Sequence, residues 1–540
     1  MNQENNINKD LTTAQQDYAT FLPALSSFYA AYIGKQRFGN YVDPSRIPSN
    51  FPNSVESLNY LDSNQGMFHY KWTLYSAGHA NLDVNKHDEK EDMIRNRDRK
   101  NTWALGDSGG FQIGKGVWEG DWKDPNCPKA AKKRKQVLEW MDAYMDYGMV
   151  LDLPAWIPQS PKGRKASGIN TYQDAVNGTR INNDYFMNNR SGECKFLNVL
   201  QGETHTEAED WYNQMKDYCD PKKYPGRHFN GWAMGGQNKC DLHLVLRRLV
   251  ALRFDGLLEP GLHDNIHFLG TSKLEWALLL TDIQRAIRKY HNPNFMVTFD
   301  CASPFLATAN GQIYTETRTP DRAKWTYKML AGADDKKYSL DNRLYRDAVL
   351  TDGIFSKFEN SPISENLKIS DVCYYGPNDF NKIGKIGRTS WDSFSYAIQM
   401  GHNIWMHINA VQEANRQYDA NIRPNMLIAS KMVGKRLTQY DHNYLRDIIN
   451  DIFATSDRGK AEKIIEDYSR YWMAVPGTSG TVGERALNST TKFNELFEVA
   501  SESGTCTSDT NPEDISHSED FTEQELENLE DLENLESTDD

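Results

Sequence analysis

Aspartates that end short apolar segments are the residues of this chain best suited to chemistry. Asp107, Asp152 and Asp300 each follow such a segment. A pair of carboxylates without a convincing metal motif can displace a group at an acetal carbon, where one attacks the carbon and the other transfers the proton. The aspartates therefore predict a two-carboxylate site that acts on a glycosidic type of bond.

The segment 107–112 reads Asp-Ser-Gly-Gly-Phe-Gln and is suited to a flat ligand. Its two glycines let the backbone pass close to a planar group, Phe111 can stack on that group, and Ser108 and Gln112 can support it. Further polar residues at strand ends could read the edge of the ligand: they are Asp152, Gln201, Gly235 and Gly236. A nucleobase that leaves an anomeric carbon fits these groups.

Two partial motif matches predict other chemistry. The segment 106–110 fits a Gly-x-Ser-x-Gly nucleophile elbow around Ser108, but no histidine lies in a recognisable partner motif. His263 and His267 have the spacing of a metal pair. However, Asp264 replaces the usual Glu, and His267 falls inside a strand-like run, which is not the helix that such a pair needs. We therefore favour the two-carboxylate interpretation.

Apolar runs that alternate with helical patterns predict the elements that position these residues. Seven strand-like runs recur at 72–78, 103–107, 149–152, 196–202, 231–236, 266–270 and 295–300. Helical patterns at 137–147, 207–218, 242–254 and 274–290 fill several of the gaps. This alternation is typical of parallel β/α units. It predicts an α/β fold, a (β/α)8 TIM barrel with 371–375 as the eighth strand, in which the strand ends build the site.

The remaining segments predict the domain organisation. Residues 1–65 form an N-terminal extension that we cannot assign, and 66–415 form the barrel with a helix-bearing insertion at about 318–370. Residues 416–500 are a helical C-terminal region with amphipathic pieces at 427–434 and 444–453. Residues 501–540 are a low-complexity acidic tail, which we expect to be disordered. Two alternatives for assembly stay open: a protein partner binds the tail, or the chain forms a homodimer.

Charge and cysteine content limit the class of protein. The formal charge is −14, but 15 acidic residues lie in 501–540, which has no Lys or Arg, so residues 1–500 carry +1. A near-neutral body with local basic clusters can bind phosphates. The seven scattered cysteines suit a reducing compartment. The chain shows no signal-peptide pattern and no apolar run of about 20 residues, so we expect a cytoplasmic protein without a membrane segment.

Five segments together resemble a known family. They are Asp107–Gln112, Leu200–Gly202, Gly231–Gly236, Phe268–Gly270 and Phe299–Pro304. In this order they are similar to the signature segments of the guanine transglycosylases, which are (β/α)8 barrels that exchange guanine in a polynucleotide for a 7-deazaguanine. The resemblance covers about residues 72–310.

The resemblance implies a role for each matched residue. Asp300 would be the nucleophile on C1′, and Asp107 the general acid and base. Phe111 would stack on the base. The residues expected to hold the base are Asp152, Gln201, Gly235 and Gly236, with Ser108 and Gln112 in support. The implied mechanism is ping-pong through a covalent ester, after the target nucleotide has left its stack.

Departures from the family pattern favour DNA over transfer RNA as the polynucleotide. The transfer-RNA enzymes carry arginines after the nucleophile segment, whereas 303–311 here contain none. The family zinc frame retains only Cys373 and His402, with Asp371 as a third candidate ligand, so the zinc site is incomplete and we assign no metal and no cofactor. These losses resemble the branch in phages and bacterial islands that modifies DNA and so protects it from restriction.

Basic clusters are the candidate contacts for phosphates. The first precedes the Asp107 strand at Arg95, Arg97, Arg99 and Lys100. The others are Lys132, Lys133, Arg134 and Lys135, and then Lys162, Arg164 and Lys165. The alternatives to a DNA enzyme are a transfer-RNA guanine transglycosylase, a catalytically silent nucleic-acid-binding subunit of the same fold, and a barrel glycosidase. Retention of both Asp107 and Asp300 argues against the silent subunit.

Overall fold

Eight parallel strands form one barrel-shaped sheet in the computed structural model of the protein. The structure describes residues 7–35, 44–85, 92–239, 241–318, 325–347, 360–373, 391–424, 427–428, 444–473 and 475. The barrel strands are β1 (Thr20–Pro23), β2 (Trp72–Ser76), β3 (Trp103–Asp107), β4 (Tyr147–Met149), β5 (Lys195–Leu200), β6 (Gly231–Met234), β7 (Asn265–Phe268) and β8 (Met296–Cys301). The predicted α/β barrel is confirmed.

The eighth strand differs from the prediction. Residues 371–375 were expected to supply it, but Ile369–Val372 form a short helix instead. The strand is β1, from the N-terminal region that sequence patterns left unassigned. It pairs in parallel with β8, where Phe21 lies opposite Phe299. A parallel bridge between Ala24 and Leu74 links it to β2, so the sheet closes on itself.

Helices between the strands cover the outside of the barrel. Those up to β8 are α1 (Ser27–Lys35), α2 (Gly110–Gly114), α3 (Pro128–Tyr144), α4 (Pro161–Ser167), α5 (Tyr172–Asn189), α6 (His205–Met215), α7 (Leu242–Phe254) and α8 (Leu274–Tyr290). The later helices are α9 (Ser303–Ala309), α10 (Ile369–Val372), α11 (Ser393–Asp419), α12 (Leu445–Ala454), α13 (Arg458–Asp467) and α14 (Ser469–Met473). The long α11 packs against α8 and β1, and α12 packs against α8, so a helical C-terminal region is present.

The predicted insertion begins with a β-hairpin. Its strands are β9 (Gln312–Arg318) and β10 (Thr326–Ala331), which pair in antiparallel fashion. The described part of 318–370 otherwise holds short 3-10 turns at Lys336–Tyr338 and Tyr345–Asp347, and the short helix α10 begins at its end. The helices expected within this segment are therefore not found among the described residues. Most of the predicted helix 427–434 and the whole acidic tail 501–540 lie outside the part of the chain that the structure describes.

The barrel interior is apolar along the strands and polar at their carboxyl ends. The inner core is formed by Leu22, Leu74, Leu105, Met149, Leu197, Val199 and Ala233. Alternate residues of a strand point to the same face. Asp107 therefore follows Leu105 on the interior face, and Gln201 follows Val199. This alternation delivers the polar residues to one mouth of the barrel.

Candidate active site

Two carboxylates meet at the mouth of the barrel from strands that are distant in sequence. Asp107 ends β3, and Asp300 is the penultimate residue of β8. The two are close enough for the charge of Asp300 to raise the pKa of Asp107, although burial is the larger cause. The structure thus brings together the pair that the sequence predicted.

Asp300 is held through one of its two carboxylate oxygens. Its Oδ1 accepts a hydrogen bond from the backbone N–H of Gly270 at 2.8 Å and lies 3.1 Å from Nε2 of His267. His267 is fully buried, and its Nδ1 lies 3.0 Å from Oγ1 of Thr298. β7 and the loop that follows it therefore fix the orientation of this carboxyl group.

Asp107 is held by a side chain of β2, which pairs with β3. Oγ of Ser76, the last residue of β2, donates a hydrogen bond to Oδ2 of Asp107 at 2.7 Å. Burial raises the pKa of the Asp107 carboxyl, and the hydrogen bonds from Ser76 and the Gly109 backbone only partly offset this effect. A carboxyl group with a raised pKa retains its proton to higher pH, which suits a proton donor.

A third carboxyl group lies beside this pair. Asp152 is buried, and its Oδ2 accepts a hydrogen bond from Nε2 of Gln201 at 2.8 Å. Burial raises the pKa of Asp152 to about 7, and the charge of Asp107 contributes in the same direction. Ser108 is buried next to Asp152, and its hydroxyl is close enough to the Asp152 carboxyl group to lower the pKa of that group slightly. These groups form a buried polar wall that can bind the edge of a flat ligand.

Glycines allow the segments of this wall to approach closely. A Cβ on Gly110 would lie 2.4 Å from the backbone oxygen of Asp152, and one on Gly235 would lie 2.7 Å from Nε2 of Gln201. Gly236 has a φ of 50°, and a Cβ there would lie 2.4 Å from the oxygen of Gly202. The amide of Gly235 already donates to the carbonyl of Leu200. Gly235 therefore serves the site through its missing side chain rather than through its N–H.

An aromatic pair lies at the rim. Phe111, in the first turn of α2, is half-buried and packs against Trp156 with ring centroids 5.3 Å apart. Nζ of Lys115, one turn later, lies 5.2 Å from the centre of the Phe111 ring. Gln112 is buried, and its side chain packs against the backbone of Gly78 after β2. Phe111 is thus placed to stack, whereas Gln112 supports the loop beside Ser76.

The candidate metal residues are engaged elsewhere. Both ring nitrogens of His402 have partners, since Nδ1 lies 2.8 Å from Oγ of Ser361 and Nε2 lies 2.8 Å from the oxygen of Tyr314. Sγ of Cys373 donates to the oxygen of Ala333, and the carboxylate of Asp371 accepts from the Lys368 N–H. These residues do not converge on one point and do not fit a zinc ion. No group of three or more metal-binding side chains occurs within the described ranges.

His263 and His267 do not form a metal pair either. Nε2 of His263 lies 2.8 Å from the carbonyl oxygen of Cys219, at the opposite end of β7 from Asp300. His267 instead contacts Thr298 and Asp300. The nucleophile elbow is likewise not assembled, because Ser108 Oγ has no histidine partner among the residues that the structure covers.

The basic clusters separate into structural arginines and a lysine rim. Arg97 is buried and pairs with Asp146 at 2.9 Å, and Arg99 donates to the carbonyl oxygens of Ala143 and Met145. Arg134 is also buried and donates to Asn182. These three arginines therefore hold together segments of the outer layer of the barrel.

The lysine rim surrounds the loop 115–119 that follows α2. We define it as Lys115, Lys132, Lys133, Lys162 and Lys165. Nζ of Lys133 lies 4.7 Å from the centre of the Trp118 ring, and the stem of Lys162 packs beside Gly116. The rim therefore starts one helical turn from Phe111. Positive charge at this distance from the site suits a phosphate backbone.

Four site components were not predicted from the sequence, namely Ser76, Trp156, His267 and the N–H of Gly270. Ser76 had a usable signal, because it is a polar residue near the end of the predicted strand-like run 72–78. His267 also had one, since it lies two residues before Leu269, which packs against the inner core of the barrel, so both side chains share one face of the strand. Gly270 ends one of the five segments that resemble the family, but the role of its amide depends on loop geometry. Nothing local in the sequence marks Trp156.

Comparisons with known proteins add no relative. No family model matches the chain, and no curated protein matches it significantly. Within the described residues, no helix is long and apolar enough to cross a membrane. The chain is therefore a (β/α)8 barrel that carries two neighbouring carboxyl groups, Asp107 and Asp300, at the carboxyl ends of its strands.

Proposed function

We propose that this protein is a guanine transglycosylase that exchanges guanine in DNA for a 7-deazaguanine base, such as 7-cyano-7-deazaguanine. The observation that carries the proposal is the pairing of two unlike carboxyl groups at one barrel mouth. Asp300 is held by donors on a single oxygen, and Asp107 is half-buried with a raised pKa. A nucleophile and a proton donor are the two groups that base exchange requires.

In the first half-reaction, Asp300 attacks C1′ of the target nucleotide. The bond between C1′ and N9 breaks, and its electron pair goes to the departing guanine, which takes the proton of the Asp107 carboxyl. The product is an ester between Asp300 and the deoxyribose. The raised pKa of Asp107 supports this role, because the proton must be present when the base leaves.

In the second half-reaction, N9 of the incoming 7-deazaguanine attacks C1′. Its N9 proton passes to the Asp107 carboxylate, and the electron pair of the ester bond returns to Asp300. Both carboxyl groups are thereby restored. A covalent intermediate of this kind replaces one difficult substitution with two easier ones.

The buried wall supports recognition of guanine-type bases. The Watson–Crick edge of guanine presents N–H donors from N1 and the 2-amino group. Asp152 offers carboxylate oxygens to such donors, and Gln201 holds it by one of them. Ser108 offers a buried hydroxyl beside Asp152, and Phe111 offers a face for stacking.

The lysine rim supports a polynucleotide substrate rather than a free nucleoside. The target nucleotide must leave its stack to reach a buried site, and flanking phosphates would then pass over the rim. The absence of arginines in 303–311 and the unassembled metal set favour DNA over transfer RNA. Protection of the modified DNA from restriction is the cellular role that we propose.

The test is base exchange measured directly. The protein is incubated with 7-cyano-7-deazaguanine and either guanine-containing DNA or transfer RNA, and digested nucleosides are analysed by mass spectrometry. We expect the modified nucleoside in DNA only. Its appearance only in RNA would contradict the choice of DNA, and its absence from both, with DNA binding retained, would support the silent subunit.

A further inference from the structure

His267 connects two side chains of the neighbouring strand. β7 pairs with β8 so that His267 lies opposite Thr298. Its Nδ1 lies 3.0 Å from Oγ1 of Thr298, and its Nε2 lies 3.1 Å from Oδ1 of Asp300. The imidazole is fully buried, so solvent does not compete for either nitrogen. The ring is therefore locked between a hydroxyl and the carboxyl group proposed as the nucleophile.

The contact with Asp300 requires a proton on Nε2. An ionised carboxylate only accepts hydrogen bonds, so a nitrogen 3.1 Å from it must donate. Oγ1 of Thr298 lies within reach of both Nδ1, at 3.0 Å, and the carbonyl oxygen of Ile266, at 3.3 Å. If Thr298 donates to Nδ1, the neutral ring carries its proton on Nε2. If it donates to Ile266, the ring carries both protons, and Nε2 donates in either case.

The two donors act on the same oxygen. The Gly270 N–H also donates to Oδ1 of Asp300, at 2.8 Å, whereas Oδ2 accepts no hydrogen bond from the described residues. We infer that His267 is a positioning residue that fixes Oδ1 of Asp300 and thereby presents Oδ2 to C1′. This assignment rests on the proposed function, because it names the attacking atom of that reaction.

The same contact acts in both half-reactions. When the bond from Oδ2 to C1′ forms, Oδ1 becomes the carbonyl oxygen of the ester and still accepts from His267 and Gly270. When that bond breaks, its electron pair returns to the carboxylate, and the two donors stabilise the charge that develops on Oδ1. Loss of the His267 donor should therefore slow the formation and the breakdown of the ester, with little effect on the binding of the base.

The experiment compares two substitutions at position 267 in the full-length protein. His267→Phe removes the donor and keeps a ring, and His267→Gln places an amide N–H near the position of Nε2. With DNA and 7-cyano-7-deazaguanine, we expect His267→Phe to lower kcat by roughly 10- to 100-fold, the usual range for a hydrogen bond to a charged group. KM for the base should change by less than about threefold, and His267→Gln should recover most of kcat.

His263→Phe is the matched control, since His263 is equally buried but contacts the Cys219 carbonyl instead of Asp300. Thermal melting first checks that this variant is folded. It should then keep the wild-type kcat. If His267→Phe does not fold, Thr298→Val tests the same link by removing the partner of Nδ1. This variant should also lower kcat and leave KM for the base nearly unchanged.

The outcomes separate this inference from the proposed function. Exchange by the wild-type protein with unchanged kcat in His267→Phe, or an equal loss in His267→Gln and His267→Phe, would overturn the positioning role alone. A change confined to KM would do the same. No exchange by the wild-type protein on any polynucleotide would overturn the proposed function, and the role of His267 with it.

Discussion

Asp300 and Asp107 are the same residue type at equivalent ends of two barrel strands, yet their surroundings differ. Asp300 has two N–H groups directed at one oxygen, from β7 and the loop that follows it. Asp107 receives a hydroxyl hydrogen bond from β2, and burial and the charge of Asp300 raise its pKa. The contacts from neighbouring strands, and not the residue type, therefore distinguish the two carboxyl groups to which we assign the roles of nucleophile and proton carrier.

The strongest way to break this comparison is to remove the nucleophile. Asp300→Asn keeps an oxygen that can accept from Gly270 but has no anionic oxygen to attack C1′. We expect base exchange to fall by about 10⁴-fold or more, as for other lost nucleophiles. A protein–DNA adduct that resists denaturants should disappear on gels. Asp210→Asn, on the exposed face of α6, is the control. An adduct that persists in Asp300→Asn would show that the nucleophile is a different residue.

The second prediction concerns the proton. Asp107→Asn removes the carboxyl that protonates the leaving guanine, so exchange should fall by about 10²- to 10⁴-fold. Because the pKa of Asp107 is raised, the wild-type rate should fall as pH rises through that value, and the variant should lack this limb of the profile. A pH–rate series of kcat provides the measurement. An unchanged profile in Asp107→Asn would assign the proton to another group.

The third prediction sharpens the comparison by adding Asp152. Asp152→Asn replaces an acceptor for the base edge with a group that has one acceptor oxygen, so KM for the 7-deazaguanine should rise by roughly 10- to 100-fold. The pKa of Asp152 is about 7, and the ionised form is the better acceptor. The wild-type KM should therefore fall between pH 6 and pH 8, whereas that of the variant should not. Equal pH dependence in both proteins would exclude Asp152 from base binding.

The same residue should also affect stability. The folded-state pKa of Asp152 lies above the value of an unfolded aspartate, so the unfolded chain releases this proton first and stability falls as pH rises from about 4 to 7. Relative to wild type, Asp152→Asn should gain about 1–3 kcal/mol in the free energy of unfolding between pH 5 and pH 8. Urea titrations at the two pH values measure this. A constant difference would mean that Asp152 is ionised throughout.

The smallest effects are expected at the lysine rim. Lys132→Ala, Lys162→Ala and Lys165→Ala should each weaken DNA binding by a few-fold and lower the slope of log K against log salt by about one. Rates measured at saturating DNA should stay unchanged, because the rim does not touch the reacting atoms. Lys463→Ala, on exposed α13, is the matched control. A rim variant that changes the exchange rate but not the binding would contradict this division.

The strand-end aspartates and seven of the eight barrel strands could be predicted from the amino-acid sequence. Apolar runs that alternate with helical patterns predict parallel β/α units, because each strand is buried on both faces and each helix on one. The helices 242–254 and 274–290 coincide with α7 and α8. Asp107, Asp152 and Gln201 were found because each lies at the end of an apolar, strand-like run, and the carboxyl ends of barrel strands meet at one mouth.

Only the tertiary structure decided the eighth strand and the partners of each carboxyl group. β1 has only four residues, and no alternation of apolar runs with helical patterns marks it in the sequence. Its place in the barrel therefore depends on pairing with β8 and β2 across long sequence separations. His267, Gly270 and Ser76 act on the aspartates through strand register and loop geometry. The interpretation of Asp371, Cys373 and His402 as a metal frame depended on spacing alone, and the fold directs each side chain to a different partner. The order and spacing of residues along a chain indicate which residue types a site contains. The contacts that distinguish one of these residues from another come from segments that meet only in the folded protein.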